Sequence, residues 1–291
     1  MDIIKNRKKF FAVSLIIICI GIVTMIINSV SGKGALNYDV EFTGGTSMDI
    51  DIGGDFRNSD ISDIIKDVTG QSAPQVQRVT GTNEVSIKMQ SIDSETRTAL
   101  IEALNEKYTD MEVHDVSDVG GTISGEMQRA ALLAILVSCG AMLVYISIRF
   151  KDFRAGASAI FALVHDVLVV LAFYAVLRIP VNNSFIAAIL TVLGYSINAT
   201  IVIFDRIREN KSNFRLNETA EKINKSVTQT LARSVNTSLT TLFTIGTIYI
   251  LGVQSIKEFA LPLIIGIISG AYSSIFLAGA VWYMLIPKNE K

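Results

Sequence analysis

Cysteine is nearly absent: two residues, Cys19 and Cys139, in a chain of 291. Two cysteines so far apart supply neither a disulfide framework nor metal-ligand spacing. Charge is also scarce. Asp, Glu, Lys and Arg make up 18% of the chain, against about 25% in soluble proteins. No Walker phosphate loop, Gly-x-Ser-x-Gly or His-Glu-x-x-His is present. These absences argue against a soluble enzyme or a secreted disulfide scaffold, and no enzymatic activity, metal or cofactor is expected.

Apolar runs take the place of those features. Half of the residues are hydrophobic and the mean hydropathy is +0.44. Charge-free stretches cover 10–32, 130–148, 179–204, 234–256 and 259–287. A sixth stretch, 155–177, contains one acid, Asp166. Each reaches the roughly 20 residues that cross a bilayer's hydrocarbon. The first follows Lys5, Arg7, Lys8 and Lys9 as a signal peptide would. It exceeds the roughly 7–15 apolar residues of a signal core, so a retained anchor is expected.

Charge divides the chain. Residues 33–126 hold 7 Lys and Arg against 18 Asp and Glu, whereas the rest holds 19 against 9. The acidic part carries no basic stripe, so no nucleic-acid partner is expected. Lys and Arg mark cytoplasmic loops. They gather at the N-terminus, at 149–154, at 206–225 and in the tail. This predicts six transmembrane helices with both termini cytoplasmic. The expected organisation is a cytoplasmic N-terminus and first helix (1–32), an extracytoplasmic domain (33–128), helices 2–6 with their loops (129–287) and a cytoplasmic tail (288–291).

The inserted domain alternates apolar and polar residues at 47–52 before Gly53-Gly54. A helix capped by Ser59 would then bury Ile61, Ile64, Ile65 and Val68. A hairpin follows, turning at Gly81-Thr82-Asn83. Ser94 opens a second helix with Leu100, Ile101 and Leu104 on one face, and Met111, Val113 and Val116 suggest a last strand. Strand, helix, strand, strand, helix, strand predicts a ferredoxin-like α+β unit. Gly120, Gly121 and Gly125 form an expected hinge back to the membrane. His114-Asp115 reads as an exposed polar pair, and the acidic surface as a solvated face.

Polar residues inside the apolar runs are the candidates for chemistry. Asp166, preceded by His165, lies mid-helix, where a charge costs about 2.5–3.5 kcal/mol even on the lenient insertion scale. It should face the bundle and find a partner, either as a plain interhelical hydrogen bond or as part of an ion pathway. Arg233 is expected at the start of the fifth helix. Thr237, Thr240, Thr241 and Thr244 follow at helical spacing, with Asn236 nearby. Thr191, Gly194, Asn198 and Asp205 approximate one face of the fourth helix. Asp205, Arg206 and Arg208 should mark its cytoplasmic end. Gly266-x-x-x-Gly270 is a packing surface.

These segments resemble a known family. Phe42-Thr43-Gly44-Gly45-Thr46 is similar to the glycine-pair motif of the SecF branch of the SecD/SecF family. The run from Gly194 through Tyr195-Ser196-Ile197-Asn198-Ala199-Thr200 to Asp205-Arg206-Ile207-Arg208-Glu209-Asn210 resembles its fourth-helix signature. Val164-His165-Asp166-Val167-Leu168 and the segment from Arg233 to Leu242 resemble its third- and fifth-helix motifs.

The resemblance implies the resistance–nodulation–division superfamily. It implies a subunit that works with SecD beside the SecYEG channel, drawing translocating polypeptide outward across the lipid bilayer with an ion gradient. Arg233, Asp166, His165, Asn198, Thr237 and Thr240 are the implied ion-coupling group. Phe42, Gly44, Gly45, Gly120 and Gly121 are the implied hinge. One position departs: the family's fourth helix reads Asn-Asp-Thr, and here that acid is Ala199. Asp166, an acid on the partner, or another coupling scheme would have to compensate. Two other classes stay open, half of a small-molecule or lipid exporter and a passive translocon scaffold.

Overall fold

A computed structural model gives the structure of the chain at residues 2–71, 74–79, 82–215 and 218–287. In chain order it contains α1 (Ile3–Val30), β1 (Gly45–Asp51), α2 (Asn58–Thr69), β2 (Gln75–Arg78), β3 (Glu84–Met89), α3 (Ser94–Lys107), β4 (Glu112–Val119) and α4 (Gly121–Phe150). There follow α5 (Phe153–Leu177), α6 (Asn183–Glu209), α7 (Thr219–Leu251) and α8 (Gln254–Tyr272), then a π-helical turn (Ser273–Ala278) running into α9 (Gly279–Leu285). Contacts divide the chain into two compact units, one of residues 1–37 and 132–291, the other of residues 38–131.

The smaller unit is an antiparallel four-stranded sheet, ordered β2-β3-β1-β4, carrying α2 and α3. The period-two pattern sets its register. Met48 and Ile50 on β1 stand opposite Ile87 and Val85 on β3, and all four are buried. Ile61, Ile65, Leu100 and Leu104 of the two helices complete this core. The strands and helices thus occur in the order read from the sequence, although Gly81 of the expected turn lies outside the described residues.

Both helix caps differ from expectation. Arg57, not Ser59, precedes α2, and its guanidinium pairs with Asp60 at 3.0 Å. Ser59 already lies in the first turn. Asp93, not Ser94, caps α3, its carboxylate accepting from Thr96 N–H at 2.7 Å. That backbone N–H, with the Thr96 hydroxyl, holds the Asp93 carboxyl below the usual carboxylate range.

The glycine pair at 44–45 is fixed in place. Gly44 and Gly45 have φ of +77° and +147°, in the range that favours glycine. Gly45 begins β1, and a Cβ there would collide with the Met89 carbonyl oxygen. Beside it, Asp39 accepts from Val40 N–H at 2.6 Å and pairs with Lys88 at 2.5 Å, both side chains being largely buried. The motif therefore closes the start of the sheet, which opposes the flexing role expected for Gly44 and Gly45. Gly120 and Gly121 have open space around them, and Gly121 begins α4, so Gly125 lies inside a helix.

The larger unit holds the membrane helices. Six helices, starting at Ile3, Ser124, Phe153, Asn183, Thr219 and Ile256, are long and apolar enough to cross a membrane. The centre of the bundle is α5, α6 and the α8–π-turn–α9 segment, whereas α1, α4 and α7 expose rows of Leu, Ile and Val. Small residues permit the close approach: Gly156 on α5 abuts Leu143 and Ser147 of α4, and Gly266 on α8 seats against Val192 of α6. The free N–H groups of Ile3 and Ile4 donate to Asn224 Oδ1 on α7 at 2.9 and 3.1 Å, tying α1 to α7.

A substitution at the glycine pair tests this account. Gly45→Ala adds a Cβ against a carbonyl at a φ that alanine avoids. It should destabilise the sheet unit by about 2 kcal/mol or more, measured as a lower unfolding midpoint of the full chain in detergent.

Candidate functional site

Asp166 sits halfway along α5 and is 0% exposed, with His165 5% exposed. Its carboxylate is held by three hydroxyls from two other segments. Ser196 Oγ on α6 donates to Oδ2 at 2.6 Å and Ser273 Oγ in the π-turn at 2.9 Å. Ser269 Oγ on α8 donates to Oδ1 at 2.7 Å, and His165 Nδ1 lies 3.0 Å from the same oxygen. Asp166 thus faces the bundle interior as expected. The serines and the His165 ring surround the carboxylate, and no Lys or Arg pairs with it among the described residues.

Local geometry delivers those serines. Ser269 and Ser273 are four residues apart, one helical turn, and so share a face. The π-turn starts at Ser273, inserting its extra residue beside the carboxylate, a placement often associated with function. Gly270 lies between them. A Cβ there would stand 3.0 Å from Ser196 Cβ and 3.5 Å from Asp166 Oδ2, so only glycine lets α8 close onto α6 at this level. His165 stacks on Tyr272, ring centroids 6.2 Å apart, and its Nε2 has no hydrogen-bond partner among the described residues.

A second polar site lies on the other side of α6. Arg233 does not start the fifth membrane helix. That helix, α7, begins at Thr219 and carries Arg233 fourteen residues in. The helix continues through charged residues, and Asn210 after α6 braces it by donating to Ser226 Oγ at 2.8 Å. Arg233 is exposed and makes no ion pair among the described residues. Together with Asn198, Ala199, Val202 and Thr237 it lines a crevice of about 60 Å³ between α6 and α7. This opens towards a cavity of about 480 Å³ bounded by Asp205, Arg206, Glu209, Gln229 and Arg233. Ala199 therefore shares a cavity with Arg233, and a carboxylate at that position would face the guanidinium.

The other expected residues divide between these sites or fall outside both. Asp166 and Arg233 share no partner among the described residues. The hydroxyls of Thr240 and Thr241 donate to Thr237 O at 2.9 Å and that of Thr244 to Thr240 O at 3.1 Å, within their own helix. They make no interhelical hydrogen bond among the described residues. Asp205 pairs with Arg149 at 3.3 Å and Arg208 at 3.1 Å, and Arg206 pairs with Glu209 at 2.7 Å. Gly266 and Gly270 pack on α6 within this chain, so that face is not open to a second bundle. Ser196 and Ser269 went unrecognised. Ser269, one turn before Ser273 and flanking Gly270, was the available signal.

The architecture and the two sites define a class: a multi-pass membrane protein with one α+β insertion after its first span, a closed polar centre and an open one. A family profile described as "Protein export membrane protein SecD/SecF, C-terminal" matches residues 99–288. The protein translocase subunit SecF of Acidaminococcus fermentans is 36% identical over 296 residues, covering 100% of this chain and 99% of that one. SecDF of Thermus thermophilus, a translocon-associated membrane protein, superposes with a TM-score of 0.85 at 31% identity. That match covers 98% of this chain and 38% of the SecDF chain. SecDF in a super-membrane-facing form gives 0.68 at 30% identity, with the same coverage. The chain belongs to the SecD/SecF family, as a relative of its SecF subunits.

The serine cage makes a quantitative prediction. Ser269→Ala leaves the carboxylate short of one donor and should cost about 1–3 kcal/mol. Combined with Asp166→Leu it should cost less than the sum of the two changes, because the group it served is gone. Unfolding midpoints of the four proteins in one detergent give the coupling.

Proposed function

We propose that the chain is the SecF-type subunit of a bacterial Sec protein-export machinery, residing in the inner membrane and acting with a SecD-type half beside the SecYEG channel. Arg233 carries this reading. Its crevice lies on the outer side of α6 and α7 and is lined by Asn198 and Thr237. Ala199 stands where the family places an acid. A permanently charged guanidinium in an apolar span needs a carboxylate or several carbonyls. A second six-helix bundle seated on α6 and α7 supplies the missing acid, and the site becomes whole only in the assembly. A pseudo-symmetric pair of halves is the usual transporter plan.

On this reading both termini are cytoplasmic. The sheet unit is ferredoxin-like and extracytoplasmic, and makes weak, sequence-tolerant contacts with emerging polypeptide. Its movement centres on Gly120 and Gly121, where space is open, rather than on Gly44 and Gly45. Each elementary charge crossing 100 mV makes about 2.3 kcal/mol available, enough for one titrating group in the complex to bias a conformational step. Arg233 is the electrostatic partner of that group.

Export into inverted vesicles, energised in parallel by a proton and by a sodium gradient, tests the assignment. Arg233→Ala should remove the gradient-dependent export, a fall of at least about ten-fold, as expected for a buried charge left without its counterpart. Ala199→Asp should be tolerated and shift the pH dependence. Wild-type export by Arg233→Ala under both gradients would overturn the coupling role and leave the scaffold reading. Failure of a SecD-like subunit to co-purify in mild detergent would overturn the assembly.

A further inference from the structure

A further cluster of positive charge in the membrane unit lies apart from the serine cage and adjoins the Arg233 cavity through the Arg208–Asp205 pair. At the end of the bundle where α1 begins and α9 ends, a cavity of about 470 Å³ opens between the α4–α5 connection, the end of α6 and the start of α7. Lys151, Arg154, Arg208, Lys211 and Lys222 line it against one carboxylate, Asp152. That carboxylate is occupied: Trp282 Nε1 donates to it at 3.0 Å, and Arg154 donates through its backbone N–H at 2.9 Å and its Nε at 3.1 Å. Arg208 is engaged by Asp205 at 3.1 Å. Lys151, Lys211 and Lys222 form no ion pair among the described residues. Three ammonium groups thus line one concavity with no ion-pair partner among the described residues.

Two further features show a built site. Lys151 has φ +52°, the left-handed region in which glycine would be relaxed and a lysine is strained. Glycine would relieve the backbone, and lysine contributes a cation to the cavity. The floor is aromatic and apolar: Phe150 packs edge-on against Phe204 at 5.8 Å, and Phe204 lies 6.1 Å from Trp282. The Lys222 ammonium sits 5.9 Å from the Trp282 ring. The rim is continuous with lipid-type surface, since Phe153, between Asp152 and Arg154, is 67% exposed and Leu285, beside Ile286, is 45% exposed.

We infer that this cavity binds the phosphodiester headgroup of an anionic phospholipid. The lysines meet the phosphate oxygens, the aromatic floor meets the glycerol and first acyl carbons, and the chains leave past Phe153 and Leu285. Basic pockets at the ends of membrane helices recognise lipid headgroups through this combination, and the volume suits a small ligand. A free phosphate would use the lysines and leave the aromatic floor and apolar rim without a role. The inference rests on the six helices crossing a bilayer. It does not depend on the coupling ion or on the partner half, so it stands or falls separately from the export reading.

Native mass spectrometry of the full chain in mild detergent tests it. The probes are dioleoylphosphatidylglycerol, dioleoylphosphatidylcholine with identical chains, and inorganic phosphate. The wild-type chain should retain phosphatidylglycerol at least about ten-fold better than phosphatidylcholine, and millimolar phosphate should not displace it. The triple change Lys151→Gln, Lys211→Gln and Lys222→Gln should abolish the preference. Lys5→Gln, Lys8→Gln and Lys9→Gln, three cations at the same end outside the cavity, should change it less than about two-fold. Lys211→Gln alone, an exposed residue whose loss cannot disturb packing, should weaken retention about five-fold, as expected for one cation near a lipid phosphate. Equal losses in the two triple variants, no preference in the wild-type chain, no effect of Lys211→Gln, or displacement by phosphate would each overturn the lipid assignment.

Discussion

The bundle is organised around the cost of keeping the carboxylate of Asp166 away from water. A carboxylate at the centre of a membrane span persists only where its acceptor sites are filled. Here three serines fill them, drawn from α6, α8 and the π-turn. Hydrogen bonds to a charged group are worth about 1.5–3 kcal/mol each, so a few of them offset the insertion cost. The requirement reaches into the backbone. Gly270 has no side chain because Ser196 must come close, and the helix adopts a π-turn where Ser273 meets the carboxylate. The core of the large unit, from Ala162 and Leu163 to Leu193 and Ala278, packs around this polar centre.

Arg233 presents the opposite situation. Asp166 is closed within the chain, whereas the guanidinium lies in an open crevice lined by Asn198, Ala199 and Thr237. The two charges sit on opposite sides of α6, which rules out a direct pair and makes that helix the element common to both. The small-residue face of α8, read from the sequence as a packing surface, is consumed internally against Val192 and Ser196. The polar groove of α6 and α7 stays open in this chain, and the proposed assembly places the partner half there.

Much of this was legible in the sequence, for identifiable reasons. Spans were visible because charge is excluded from them, and the strands because their apolar residues alternate. Asp166 stood out as the one acid inside an apolar run. Its partners did not, since serine in a membrane helix can equally donate to its own preceding turn, as Ser274 does to Gly270 O at 2.6 Å. Only the packing of α5 against α6 and α8 distinguishes the two cases. The start of α7 was misplaced because the apolar run begins at Ser234, while helix propensity and the brace at Ser226 carry the helix back to Thr219. The caps at Arg57 and Asp93 shifted by one or two residues, where several polar side chains compete for the same N–H groups. The basic cavity draws its cations from the α4–α5 and α6–α7 connections, which the sequence marks as rich in Lys and Arg without showing that they converge.

The central claim is one closed polar centre and one that another bundle completes. Thiol accessibility tests it most directly. With Cys19 and Cys139 replaced by alanine, Asn198→Cys and Ser269→Cys are introduced separately and treated with a membrane-permeant maleimide, with and without a co-expressed SecD-like subunit. The account predicts that the thiol at 198 reacts in the isolated chain and is protected about ten-fold or more in the assembly, by the burial expected of a stable interface, while the thiol at 269 stays unreactive in both. Equal reaction at 198 in both preparations, or ready reaction at 269, would contradict it.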